Sequence, residues 1–172
     1  MLRELAMKRK SIRLYENKDV PDDMIIDAVS TAILAPSAGN LQAWEFIIVR
    51  RMETKRAIAD ACYGQEFIVS APVVVIVCAN RKRSSEKYGK RGEEFYSIAD
   101  ACIVASYFQL AVAEKGLGTV WVGAFDNDEI KSILDLPVYI EPIAVFPIGH
   151  PAEKGHDKRR FDTSKVMHME KW

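Results

Sequence analysis

Pro72-Val73-Val74-Val75-Ile76-Val77-Cys78-Ala79 is apolar at every position and rich in β-branched side chains. A strand with one face in water alternates polar and apolar residues; this one does not, which predicts a core strand buried on both faces. Upstream, Glu45 to Arg50 (EFIIVR) predicts a second strand. Thr54 to Cys62 predicts a helix with Ile58, Ala61 and Cys62 on one stripe, and Gln65 to Ile68 is too short to assign. Downstream, Asn80 to Arg91 is polar, basic and glycine-punctuated, and is expected as a surface excursion. Glu94 to Lys115 has helical length and is apolar nearly all round, with Gly116 as its cap. Thr119 to Phe125 and Tyr139 to Ile148 predict two more strands, with a short helix between them capped by Asp126 or Asn127. Ahead of all these, Pro21, Asp22 and Asp23 suit a helix first turn, and Ile25, Val29, Ala32 and Ile33 fall on one face of that helix. Pro36 ends it. A short helix near Leu2 to Lys8 precedes, and an extended tail follows Gly149. The expectation is one α+β domain spanning residues 1–172, with about four core strands.

Composition narrows the function classes. The formal net charge is zero, so neither a broad nucleic-acid surface nor a membrane surface is expected. Residues 1–10 lack the apolar segment of a signal peptide, and no apolar run approaches the roughly 18 residues that span a bilayer. Cys62, Cys78 and Cys102 are odd in number and form no CxxC pair, which fits reduced, buried thiols in a cytoplasmic protein.

Four stretches carry chemistry. Arg9-Lys10-Ser11-Ile12-Arg13 offers three cations and a hydroxyl, suited to a phosphate. In extended chain Arg9, Ser11 and Arg13 share one face, and Lys10, Ile12 and Leu14 the other. Ala35-Pro36-Ser37-Ala38-Gly39-Asn40-Leu41-Gln42-Ala43-Trp44 joins helix to strand with more polar groups than a plain turn needs, and its Asn40 and Gln42 amides suit a heterocycle edge. Gly116-Leu117-Gly118-Thr119 closes a helix rather than opening one, so it is not a dinucleotide fingerprint. Gly123 beyond it would let a ligand approach the backbone, and Trp121 fits the core better than a cofactor platform. Lastly, Asp157-Lys158-Arg159-Arg160-Phe161 is a second basic cluster, able to meet the first only if the termini converge. The three histidines, all in the tail, lack metal-ligand spacing.

In this order those stretches, with Pro147-Ile148-Gly149-His150-Pro151 leading to Lys158 and Arg160, resemble the nitroreductase family of FMN enzymes over essentially the whole chain. The resemblance implies a central, mostly antiparallel sheet flanked by helices, and an interlocked homodimer with FMN at the subunit interface. By it, Arg9, Lys10, Ser11 and Arg13 would hold the ribityl phosphate and one flavin edge, with Lys158 and Arg160 closing over the phosphate. Pro36, Ser37, Ala38, Asn40 and Gln42 would reach the isoalloxazine of the partner's flavin, and the backbone N–H of Gly123 or Ala124 would face flavin N5. No side chain of this chain is expected to act as an acid, base or nucleophile. The implied reaction passes hydride from NAD(P)H through flavin N5 to a nitroaromatic, quinone or similar small acceptor. A specialised flavin enzyme of the same fold (dehalogenase-like or flavin-fragmenting) and a non-catalytic flavin-binding dimer are the alternatives. Three departures from the family stand out. Some relatives carry a carboxylate where Gly123 stands. Many are longer, with an inserted helical region that shapes the substrate pocket, where this chain offers only the polar Arg81 to Gly92 stretch. The usual lysine near the flavin pyrimidine is absent from Gly64 to Ile68, where Gln65 is the nearest polar residue.

Overall fold

The computed structural model describes Met1 to Trp172. Four strands, β1 (Trp44–Val49), β2 (Val73–Asn80), β3 (Gly118–Thr119) and β4 (Ile140–Gly149), form one sheet in the order β1-β2-β4-β3, with every pairing antiparallel. All of β2 is buried, as its apolar run requires. Side chains alternate across a strand, so Val73, Val75, Val77 and Ala79 enter one hydrophobic cluster while Val74, Ile76 and Cys78 enter another.

Helices cover both faces. The first cluster is closed by α2 (Asp22–Ala32) and α6 (Ser97–Glu114); the second by α3 (Met52–Ala61), α4 (Phe67–Ser70) and α7 (Asn127–Ile133). Phe108 of α6 is fully buried, with ring centroids 5.5 Å from Phe46 and 5.8 Å from Phe146. Burying a side chain of that size contributes roughly 1.5–3 kcal/mol. Trp121 meets Phe146 edge-on at 5.3 Å, which makes it a core-edge residue as expected. Asp126 caps α7, its carboxylate accepting from the Glu129 N–H at 3.0 Å.

The structure corrects the sequence reading in four places. The strand expected over Thr119 to Phe125 is only Gly118–Thr119: Val122 makes one further bridge to Val145, after which Gly123 and Ala124 leave the sheet and are exposed. Residues 81–91 are not a loose excursion but a helix, α5 (Arg81–Arg91), capped by the Asn80 side chain, which accepts from the Arg83 N–H at 3.0 Å. Gly89 (φ 53°) breaks α5 and reverses the chain, and a π-helical segment, Gly92–Tyr96, then leads into α6. The approach is close: a Cβ on Gly92 would lie 2.4 Å from the Ser84 carbonyl oxygen. Ile33, expected on the inward stripe of α2, is 42% exposed because the helix ends at Ala32. Finally, the helical run ending in α6 is long and apolar enough to cross a bilayer by length and composition alone, but Ala101, Val104, Ala105, Phe108 and Val112 are buried against α2 and the sheet. That makes α6 a core helix.

Candidate functional site

After α1 (Leu2–Lys8) the backbone turns extended at Arg9 and runs as a strap along the β3 edge. The Ile12 N–H donates to the Thr119 carbonyl at 3.0 Å, and Ser11 bridges Thr119 in parallel. Further on, the Glu16 N–H donates to His150 and the Ala152 N–H to Leu14, both at 2.9 Å, so the strap also pairs with the chain leaving β4. Tyr15 locks this junction. Its hydroxyl donates to the Ile12 carbonyl at 2.8 Å and lies 3.1 Å from that of Pro147, and burial raises its pKa above the usual phenol range. A Cβ on Gly149 would lie 2.8 Å from the Tyr15 ring, so glycine lets the ring close down there. Glu153 then accepts from the N–H groups of Arg13 (2.6 Å) and Leu14 (3.2 Å). At Gly155 the tail turns with φ +64° over Lys10, where a Cβ would lie 2.6 Å from the Lys10 Cβ.

This packing brings the two basic clusters together. Arg9, Lys10 and Ser11 from the strap and His156, Lys158 and Arg160 from the tail line one cavity of about 260 Å³. The Lys10 ammonium is paired with the Asp157 carboxylate across 147 positions of sequence. Arg160 donates to the Lys158 carbonyl at 3.2 Å, so the tail folds its own guanidinium back. Guanidinium groups, ammonium groups and a hydroxyl converging on one small space suit a dianion such as a phosphate ester. The alternation expected of the strap holds only in part. Lys10, assigned to the opposite face, lines this cavity, while Arg13 does not and instead lies over the Phe67 ring at 5.7 Å. Next to Phe67, the Gln65 amide donates to the carbonyls of Cys62 (2.9 Å) and Ala124 (3.4 Å). Gly123 has no bulk to spare: a Cβ would sit 3.3 Å from Trp121 Nε1.

The Pro36–Gln42 loop is built differently. Ser37 Oγ accepts from the Gln42 N–H at 2.9 Å, closing a tight loop in which Gly39, Asn40 and Gln42 have φ of 57°, 58° and 51°. Left-handed backbone at two non-glycine residues is uncommon and must be held from outside. Asp100 of α6, 3% exposed, accepts from the Ala38 N–H at 2.9 Å through Oδ1. Its Oδ2 is buried without a partner, and burial raises its pKa while the Ala38 bond lowers it. At the other end, Arg83 Nη1 donates to the carbonyls of Gln42 (2.6 Å) and Trp44 (3.3 Å), and Nη2 to Glu45 at 2.6 Å. Asn40 and Gln42 keep their side chains exposed.

The two halves lie at opposite ends of α6. Asp100, near its start, anchors the loop; Ala113, near its end, lines a smaller cavity of about 120 Å³ that shares Arg9 and Lys10. At about 1.5 Å of rise per residue, thirteen positions separate them by on the order of 20 Å. Tyr15, Glu153, Gly155 and Asp157 gave no signal in sequence, because their roles exist only once the termini meet. Asp100 did give one, as an acid inside an otherwise apolar helix.

Comparison with known proteins identifies the family. The Nitroreductase family model matches residues 6–66 and 62–150. The NADH dehydrogenase of Thermus thermophilus is 30% identical over 94% of this chain and 92% of its own length, and the FMN reductase [NAD(P)H] of Bacillus subtilis is 30% identical over 94% and 70%. B. megaterium NfrA2 superimposes with a TM-score of 0.91 at 27% identity, covering 98% of this chain and 74% of its own. With the sheet, the strap and the tail arranged as described, this chain belongs to the nitroreductase family and has the nitroreductase fold.

Proposed function

We propose that this protein is an FMN-dependent NAD(P)H oxidoreductase acting as a homodimer, the whole chain forming one domain. The carrying observation is the convergence of Arg9, Lys10 and Ser11 with Lys158 and Arg160 in one cavity, which fits the phosphate end of FMN. Bound FMN supplies the redox chemistry, taking hydride from NAD(P)H and reducing an acceptor of the nitroaromatic or quinone class.

The protein's part is to bind, orient and tune. Arg9, Ser11, Lys158 and Arg160 hold the phosphate, and Lys10 joins them when it exchanges Asp157 for the ligand. Arg13, beside Phe67 and with its backbone held by Glu153, would place a positive charge at the pyrimidine edge and favour the anionic reduced cofactor. The N–H of Gly123 or Ala124, free of the sheet, would donate toward N5. Pro36, Ser37, Ala38, Asn40 and Gln42 would reach the isoalloxazine bound to the partner, a sharing that the placing of the two halves at opposite ends of α6 favours. Ile103 and Tyr107, exposed one turn apart on the same face of α6, support a subunit contact there. Buried free thiols at Cys62 and Cys78, whose pKa burial pushes up to about 12, are inert and suit the cytoplasm.

Purified protein should be yellow, bind FMN in a 1:1 ratio per chain, and be bleached anaerobically by NADH or NADPH. Its colour should return when a quinone or nitroaromatic is added. Protein that takes up no FMN ends the proposal; flavin that binds but is never bleached supports the non-catalytic module instead.

A further inference from the structure

The loop that we assign to the partner's isoalloxazine makes few contacts of its own with the core, and its conformation is set by two charged residues outside it. Asp100 holds its entry and Arg83 its exit. Resting on the proposed function, we infer that Asp100 and Arg83 are positioning residues for the cofactor: they pre-form the left-handed backbone at Gly39, Asn40 and Gln42 so that Asn40 and Gln42 present their amides without an ordering cost on binding.

Three observations carry this. Gln42 sits at φ 51°, and its carbonyl accepts from Arg83 Nη1 at 2.6 Å. Arg83 is itself fixed, because Glu45 accepts both from its Nη2 at 2.6 Å and from Asn80 Nδ2 at 2.8 Å, while Asn80 Oδ1 accepts from the Arg83 N–H. Asp100 spends the desolvation of a carboxylate to make a single bond, to the Ala38 N–H, and leaves Oδ2 unpartnered. A buried carboxyl group on α6 adds nothing to the core that an apolar residue would not. Its one use in the fold is the loop. Two further residues of α5 reinforce the brace: a Cβ on Gly39 would lie 2.4 Å from the Tyr88 hydroxyl and 2.8 Å from Lys87 Nζ, so α5 lies directly against the loop.

The test separates positioning from general stability. Asp100→Asn keeps an oxygen acceptor for the Ala38 N–H; Asp100→Leu keeps the branched outline, with bulkier methyl groups, and removes it. FMN affinity is read by flavin fluorescence titration, and loop order by amide hydrogen exchange of residues 38–44 without cofactor. Asp100→Leu and Arg83→Ala should each weaken FMN binding by roughly tenfold and speed exchange in the loop, with thermal stability equal to or above wild type for Asp100→Leu. Asp100→Asn should restore affinity to within about threefold, the rescue that a merely structural role would not give. Unchanged affinity in Asp100→Leu and Arg83→Ala, alongside a loss in Arg9→Ala, would overturn this inference and leave the proposed function standing. Faster loop exchange without loss of affinity would also overturn it. No FMN binding by wild type would overturn both.

Discussion

The phosphate half of the site and the loop half solve the same problem in opposite ways. The first is assembled from sequence extremes, with residues 9–11 and 156–160 brought together where residues 14–16 pair with 150–152, and it carries the cations that a phosphate would need in advance. The fold also brings acids to this half: Asp157 pairs with Lys10, and Glu153 accepts from the strap backbone. The loop half is local in sequence and carries no charge of its own. It depends on shape, held in an uncommon backbone conformation by groups that never reach its surface. A charge-built half tolerates mobility, since long side chains can find an anion from several positions; a shape-built half does not. That difference predicts where each will fail.

The largest effect should come from the charged half. Arg9→Ala and Arg160→Ala should each weaken FMN binding by about 1.5–3 kcal/mol, the usual size for a charge-assisted hydrogen bond, and the loss should shrink at high salt. Titration of both variants at two ionic strengths checks this; equal affinity at low salt would remove these residues from the phosphate. Next, Gly155→Ala places a Cβ against Lys10 and strains a positive-φ turn, and should lower stability by roughly 1–2 kcal/mol while loosening the tail. Limited proteolysis within residues 152–172 would report it, and an unaltered cleavage pattern would show that the turn is not what seats the tail.

In the loop half the sharper probe is pH. The folded-state pKa of Asp100 is raised, so the native state binds more protons than the unfolded chain between the ordinary Asp pKa and the raised one. Its contribution is therefore full below that window and is lost as pH rises through it. Asp100→Asn should flatten this part of the stability–pH curve, measured by urea unfolding at several pH values; a wild-type curve that rises with pH there, unaltered by the substitution, would contradict the assignment. The smallest effect belongs to Asp157. Its carboxylate is 93% exposed in the ion pair, so Asp157→Asn should change stability by only about 0.2–1 kcal/mol, yet it should tighten FMN binding severalfold by freeing Lys10. Weaker binding would mean that Asp157 orients the site rather than occupying it.

What the sequence disclosed follows from the same contrast. The strands β1, β2 and β4 were legible because burial on one or both faces fixes their residue types, and the basic stretches because phosphate chemistry needs cations wherever they come from. Helix α5 was not. Arg81-Lys82-Arg83-Ser84-Ser85-Glu86-Lys87-Tyr88 has no apolar stripe, and only Ser84 is buried. The helix exists because Asn80 caps it, Arg81 pairs with Glu93 at 3.2 Å, and its far side leans on the loop. Those partners are tertiary and leave no periodicity. Nor could the sequence show that Arg13 would part from Arg9 and Ser11, since alternation gives a face and not a destination. The shortening of β3 has a similar origin: Val120 and Val122 are buried as strand residues are, but Gly123 and Ala124 have no neighbour strand to pair with.

One consequence of α6 lying between the halves concerns concentration. If each cofactor draws on the strap of one chain and the loop of another, cofactor binding and subunit association are linked equilibria, and each strengthens the other by the same factor. Dilution below the dimer dissociation constant would then release flavin with no change in any binding residue, and excess flavin would hold the pair together. In the proposed dimer, the length of a single core helix would make cofactor supply a control on assembly.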